Sequence, residues 1–146
     1  MHTFAKFLKL LSFLLILTFF PINKSFAGKY GTGELKLTRA TVNHFIEYIR
    51  GAQNKFPADF YVTVDGTDSI RWFCRVKTNC SEGSIVQDLA DCLRATGKEC
   101  KKFARQRIIR WQNGINPGKG KISKINSKWS DEEIIDKLVE LGFYSR

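Results

Sequence analysis

Residues 60–76, FYVTVDGTDSIRWFCRV, decide the fold class because two runs of alternating side chains flank a short polar turn. FYVTV (60–64) and SIRWFCRV (69–76) are rich in β-branched and aromatic residues, and the DGTD between them is typical of a hairpin turn. The stretch therefore predicts two antiparallel strands. The residues expected to share a face are Phe60, Val62 and Val64 on the first strand, and Ile70, Trp72, Cys74 and Val76 on the second.

Three amphipathic segments around this hairpin predict helices, because apolar residues recur in each at helical spacing between a polar cap and a glycine. The cap and glycine pairs are Thr38 and Gly51, Ser84 and Gly97, and Ser130 and Gly142, with Gln87 and Glu133 completing capping boxes in the last two. The residues expected to face inward are Val42, Phe45, Ile46 and Ile49, then Ile85, Leu89, Cys92, Leu93 and Thr96, then Ile134, Ile135, Leu138, Val139 and Leu141. These elements predict an α+β fold, a small antiparallel sheet with about three packed helices, stapled by disulfides.

Residues 100–111, CKKFARQRIIRW, are also strand-like, but their alternation changes phase between Phe103 and Ile108. The change indicates either a β-bulge or a tight second hairpin around residues 105–107. Both alternatives stay open from the sequence.

Two segments lack a periodic apolar pattern and are expected to be loops. Residues 112–129 carry three glycines and several lysines, which predicts a long, flexible basic loop. Residues 28–37 are polar and contain glycine, so they are expected to form a flexible lead-in. The remaining pattern predicts one domain over residues 38–146.

Residues 1–27 have the pattern of a cleaved secretory signal peptide. Lys6 and Lys9 precede an apolar run at 10–20, and a small-x-small cleavage site follows at 25–27. The run of about 11 residues is short against the roughly 20 needed to span a bilayer. We therefore expect an exported protein, periplasmic or secreted, with no transmembrane span after cleavage. A retained N-terminal anchor holding the same domain outside the membrane is the alternative.

The four cysteines all follow the signal segment, and an even number in a short exported chain is typical of two disulfides. Cys92 lies about one turn before the helix stop at Gly97, and Cys100 lies just after it. A chain that ends a helix and doubles back brings such positions to within ~6 Å, the separation a disulfide needs. We therefore predict Cys92–Cys100, which leaves Cys74–Cys80.

Chemistry at these cysteines is disfavoured by their spacing. The pattern C-x5-C-x11-C-x7-C lacks the close pair of a zinc site, and no C-x-x-C redox motif is present. GINPGKGK (114–121) is not a phosphate-binding loop, because Lys119 stands where the second glycine is required. The sequence predicts neither a metal nor a cofactor.

Charge is the strongest functional signal, because it is concentrated in one part of the chain. The chain carries a net charge of +10, and residues 98–128 hold ten Lys or Arg against the single acid Glu99. Arginines and lysines beside aromatic residues suit an anionic partner, although a charged edge strand kept from aggregating has the same composition. The candidate binding residues are Lys101, Lys102, Arg105, Arg107, Arg110, Trp111, Lys119 and Lys121, with Lys124, Lys128 and Trp129 beyond them.

The composition therefore predicts an exported binding or interaction module whose basic face meets an anionic partner. The expected partners are an envelope polymer, a lipid headgroup or an acidic protein, and nucleic acid is not expected. The first alternative is a small envelope hydrolase using His44, the single histidine after residue 27, or an acidic pair. The second is a structural subunit of an envelope assembly. No catalytic residue is assigned.

Residues 74–111 combine paired cysteines around a helix with a following C-x-x-(apolar)-A strand that ends in an apolar residue and tryptophan. This order resembles a group of small exported alphaproteobacterial four-cysteine proteins to which no activity is assigned. The resemblance implies export and disulfide bonding, and adds nothing on mechanism. The matching residues are Cys74, Cys80, Cys92, Cys100, Phe103, Ala104, Ile108, Ile109 and Trp111.

Overall fold

A four-stranded antiparallel sheet organises the part of the chain that the computed structural model describes, residues 28–75 and 80–146. The strands are β1 (Phe56–Thr63), β2 (Ser69–Cys74), β3 (Cys100–Arg105) and β4 (Ile108–Ile109), and the helices are α1 (Arg39–Arg50), α2 (Ile85–Thr96) and α3 (Asp131–Glu140). The sheet order is β2–β1–β3–β4. This α+β architecture confirms the predicted fold class. The proposed signal peptide and Val76 lie outside the described residues.

The predicted β1–β2 hairpin is confirmed, with Tyr61 paired to Ile70 and a turn at 64–68. β1 begins four residues earlier than expected, at Phe56, and the strand tolerates Pro57 because a register irregularity lies directly after it. Val64 lies in the turn and is exposed, so its predicted place on one face of the strand with Phe60 and Val62 is wrong.

Successive residues of a strand point to opposite faces, and every residue of β1 after Phe56 is buried, so both faces of the sheet are covered here. Phe60 and Val62 join α1 and α3 in the main core cluster. Tyr61 points to the opposite face and packs with Cys92 and Cys100 beneath α2. The sheet is therefore covered by α1 and α3 on one side and by α2 on the other.

The three predicted helices are confirmed with their N-caps at Thr38, Ser84 and Ser130. The third carries the full capping box with Glu133, whereas the Gln87 side chain donates to Asp91 at 2.9 Å within α2. Two residues predicted to face inward are exposed instead, Leu93 and Val139. Both sit at the edge of their helix's apolar stripe.

The phase change in residues 100–111 is a hairpin. Ala104 pairs with Ile109 across a turn in which Gln106 adopts a left-handed φ of 51°. β4 is not a free edge, because Ile109 N donates to Ser123 O at 2.8 Å and Ile125 N donates to Arg107 O at 2.7 Å. The basic loop therefore packs along β4.

Residues 28–37 differ from the expected flexible lead-in. Leu35 and Leu37 are buried in the main core, and Tyr30 forms a parallel bridge with Lys102. Gly31 lies flat against the Trp111 ring, where a Cβ would come within 2.0 Å of a ring carbon. These two leucines anchor the segment to the main core, although most of its residues are polar.

Both predicted disulfides are present, Cys74–Cys80 with a Cα–Cα distance of 5.4 Å and Cys92–Cys100 with 6.2 Å. Their sulfurs are therefore not thiolates available for redox attack or metal binding. The first bridge joins β2 to the segment before α2, and the second ties the end of α2 to the start of β3.

Candidate anion-binding surface

The basic residues divide into two groups. The first is centred on the buried pair Asp59 and Lys102, with the partly exposed Arg105 and Glu82 at its rim, and is here called the buried ion cluster. Lys102 is fully buried, with Nζ 2.9 Å from Asp59 Oδ1 and 2.8 Å from Glu82 Oε1. Arg105 Nη1 lies 3.4 Å from Asp59 Oδ1, and its Nη2 donates to the Cys80 carbonyl at 3.0 Å. Lys102 and Arg105 are therefore structural ion partners, which corrects their prediction as binding residues.

Strand register explains why Lys102 is buried. Phe103 faces the main core, so its neighbour Lys102 must face the other side of the sheet, beside Tyr61 of β1. Its ammonium group lies 5.3 Å from the Tyr61 ring centroid. Lys102 also stands two residues after Cys100, which is buried. Residues two apart on a strand share a face, so this spacing was a sign in the sequence that Lys102 is buried.

The carboxylate of Glu82 pairs with two cations, Lys102 and Lys29. Hydrogen bonds from Lys102 and then Lys29 lower the pKa of Glu82 to about 2. The same contact with Glu82, at 2.6 Å, raises the pKa of Lys29. This part of the basic stretch therefore presents little free charge to a partner.

Three further predicted residues do not form an open binding face. Lys101 Nζ lies 3.0 Å from Glu99 Oε1. Trp111 is buried, and its indole Nε1 donates to Gly33 O at 2.9 Å. Arg110 is half-buried and donates through Nη1 to a loop carbonyl at 3.3 Å. Trp111 and Arg110 thereby attach neighbouring segments to the end of β4, whereas Lys101 pairs locally.

The second group of cations lines an open groove of about 440 Å³, here called the basic groove. Three cations and one indole ring line it, from Arg107, Lys121, Lys124 and Trp129. The remaining lining residues are uncharged: Ile125, Asn126 and Ser127. Arg107 and Lys124 also line an adjacent cavity of about 300 Å³, again without a carboxylate. An anion in the groove would therefore meet three cations and an indole ring.

Hydrogen bonds to backbone carbonyls and a backbone bridge hold the groove in shape. Arg107 occupies the β3–β4 turn, and its Nε donates to Ile49 O at 3.3 Å. Lys124 forms an antiparallel bridge with Ile108, and the buried Ile125 fixes the loop to β4. The groove is consequently built by the sheet edge and the loop together.

The cations of the basic groove lack the paired carboxylates that neutralise Lys102 and Arg105 in the buried ion cluster. Within the described ranges, Arg107, Lys121 and Lys124 have no carboxylate within 4.0 Å, in contrast to Lys102 and Arg105. Asp131, two residues after Trp129, pairs with Arg50 at 2.7 Å. Lys119 and Lys128 are exposed on the same loop but do not line the groove.

His44 belongs to a separate open cavity of about 310 Å³. Its Nδ1 lies 2.7 Å from the hydroxyl of the buried Ser69. Burial, followed by the nearby Arg71 cation, lowers the pKa of His44 and so favours the neutral ring. The Ser69 backbone N–H donates to Asp68 Oδ1 at 2.8 Å, so it is not free to stabilise an oxyanion.

No family model, curated protein or solved structure matches this chain. Across residues 28–75 and 80–146, no group of three His, Cys, Asp or Glu side chains is placed to hold a metal ion. Nor does this described part contain a helix that is both long and apolar enough to cross a membrane. Functional inference therefore depends on the geometry of the surface itself.

Proposed function

We propose that this protein is an exported binding module that holds an anionic envelope partner in the basic groove. One observation carries the proposal: Arg107, Lys121 and Lys124 converge beside Trp129 in a groove with no carboxylate in its lining. Like charges gathered on a fixed scaffold repel one another and focus a positive potential, so an anion that enters relieves the repulsion.

The chemistry of the lining suits phosphate or carboxylate groups on an extended partner. The Arg107 guanidinium offers paired donors, whereas Lys121 and Lys124 act as point charges. The indole of Trp129 adds a flat apolar contact. Because Arg107 and Lys124 also line the adjacent cavity, a partner with several anionic groups can bridge the two.

Export is part of the proposal and has two supports. The first is the signal-peptide pattern of residues 1–27. The second is the pair of disulfides, since such bonds persist in oxidising compartments. Intact mass of the exported protein, with and without reduction, tests both supports together. Free thiols would contradict export, whereas a chain that retains residues 1–27 would contradict cleavage and favour the retained N-terminal anchor.

The binding proposal is tested with inorganic polyphosphate as the probe. We expect Lys121→Gln/Lys124→Gln to weaken binding and to reduce the slope of log affinity against log salt by about 1.5. The matched control is Arg39→Gln/Arg94→Gln, which removes two exposed charges that line neither cavity and should leave both quantities unchanged. Equal losses in the two double variants would reject a localised site.

A second candidate function, hydrolysis, is favoured by the 2.7 Å contact between His44 and Ser69. In that case Ser69 would be the nucleophile and the neutral His44 its base. The occupied Ser69 N–H and the absence, among the described residues, of a carboxylate hydrogen-bonded to the His44 ring disfavour it. A fluorophosphonate probe that labels the protein but not Ser69→Ala would support hydrolysis; an unlabelled parent would exclude this serine.

A further inference from the structure

The loop beside the basic groove has a fixed base. Residues 117–122, PGKGKI, here called the lysine loop, lie between the buried side chains of Asn116 and Ser123. The Ser123 hydroxyl lies 2.6 Å from Asn116 Oδ1 and 3.0 Å from the Lys119 carbonyl oxygen. Asn116 Nδ2 in turn donates to Trp111 O at 2.6 Å. The loop is therefore attached to the domain by a buried polar network.

Glycines allow this short loop to pack closely beside the end of β4. Gly118 has a φ of 72°, and a Cβ there would come within 2.6 Å of the Arg110 carbonyl oxygen. Gly120, with a φ of 74°, has open space around it. A side chain at Gly118 would therefore separate the loop from β4, whereas Gly120 serves only the left-handed backbone.

The lysine loop presents an aliphatic side chain among its cations. Ile122 is 55% exposed, directly follows Lys121, and is two residues before Lys124. It does not line the basic groove, so a dissolved anion held there would gain nothing from it. An exposed isoleucine alone is ordinary, but one held between lysines on an anchored loop has the composition of a membrane-interface contact.

We infer that the anionic partner is the surface of a lipid bilayer, an inference that rests on the proposed function. Lys119, Lys121 and Lys124 contact phosphate groups of the lipids, and Ile122 inserts between the headgroups. Charge complementarity favours this partner, because residues 112–129 contain no acid to repel an anionic surface. The attraction of each lysine to the anionic surface and the burial of the isoleucine between the headgroups then both strengthen binding.

The test is cosedimentation with vesicles of phosphatidylglycerol and phosphatidylcholine, and with vesicles of phosphatidylcholine alone. We expect binding to the anionic vesicles only. Ile122→Ser should weaken that binding about tenfold, because an apolar side chain no longer inserts, while polyphosphate affinity stays unchanged. The matched control is Val86→Ser on α2, where the parent valine is 76% exposed and far in sequence from the loop.

Each outcome separates this inference from the proposed function. Vesicle binding that is insensitive to Ile122→Ser, or equally sensitive to Val86→Ser, overturns insertion of Ile122. A parent that binds polyphosphate but no anionic vesicle overturns the lipid partner and leaves the basic groove standing. A parent that binds neither overturns both. All proteins are prepared in the same way, so any contribution of residues 1–27 is common to parent and variants.

Discussion

Lys102 and Lys121 belong to the same basic stretch, yet their environments are opposite. Lys102 is fully buried between Asp59 and Glu82, whereas Lys121 is exposed at a groove without a carboxylate. The difference comes from strand register and loop position, which a count of charges does not contain. A run of cations can therefore supply a structural element and a binding surface within a few tens of residues.

The two environments also differ energetically. A buried cation loses its hydration and must recover the cost through close, well-aligned partners. An exposed cation keeps its hydration, contributes little to stability and remains free to attract an anion. Substitutions in the buried ion cluster should therefore change stability, and substitutions in the basic groove should change binding.

The largest effect is expected for Lys102→Met. Removing this cation leaves Asp59 buried with only the more distant Arg105, which should lower the free energy of unfolding by about 3–5 kcal/mol. Urea unfolding followed by circular dichroism measures the change. Adding Asp59→Leu to Lys102→Met should recover part of the lost free energy of unfolding, because the buried carboxylate that has lost its partner is then removed. A change below about 1 kcal/mol in Lys102→Met would contradict the cluster's structural role.

A smaller loss is expected for Cys74→Ser/Cys80→Ser. The bridge joins β2 to the segment that carries Glu82, and opening so short a loop should lower the free energy of unfolding by about 2–3 kcal/mol. The same denaturation experiment applies. The parent measured after reduction is the control, and it should lose at least as much because both bridges open.

The buried ion cluster also predicts a dependence on pH. The folded-state pKa of Glu82, about 2, lies below its usual value of 4.5, so its stabilisation is present above pH 4.5 and disappears as the pH falls toward 2. The parent should therefore exceed Glu82→Gln in thermal midpoint at neutral pH, and the gap should close over that range. A gap that is constant from pH 7 to pH 2 would show that Glu82 is not held as an anion by Lys102 and Lys29.

The smallest effect on stability is expected for Lys121→Gln/Lys124→Gln. Neither lysine has a carboxylate partner in the described structure, so the free energy of unfolding should stay within about 0.5 kcal/mol of the parent. Chemical denaturation of the protein used for the polyphosphate experiment checks this. A loss above about 1 kcal/mol would mean that these lysines, like Lys102, support the fold.

Local patterns allowed the elements of this fold to be predicted. The Thr38 and Ser130 caps, the 60–76 hairpin and the Cys92–Cys100 pairing each depend on residues close in sequence. The burial of Lys102 depends on a partner in another strand and on Glu82 in a loop, so it could not be derived from charge. Likewise, the burial of Leu35 and of the Asn116–Ser123 pair depends on segments that come together only in the folded structure.

The candidate site was predicted in part. The sequence correctly placed Arg107 and Lys121 in a basic region and included Lys124 and Trp129 beyond its main list. Periodicity did not reveal that these four line one groove, because Trp129 follows a loop without regular structure. Their convergence depends on the loop packing along β4.

The most direct test is amide NMR of the isotope-labelled protein titrated with polyphosphate. We expect the largest shift changes at Arg107, Lys121 and Lys124 and at the Trp129 indole, with little change at Lys102. We also expect these changes to reverse with added salt. Changes centred on β3 around Lys102, or none at the groove, would contradict the division of the basic stretch into a structural cluster and a binding surface.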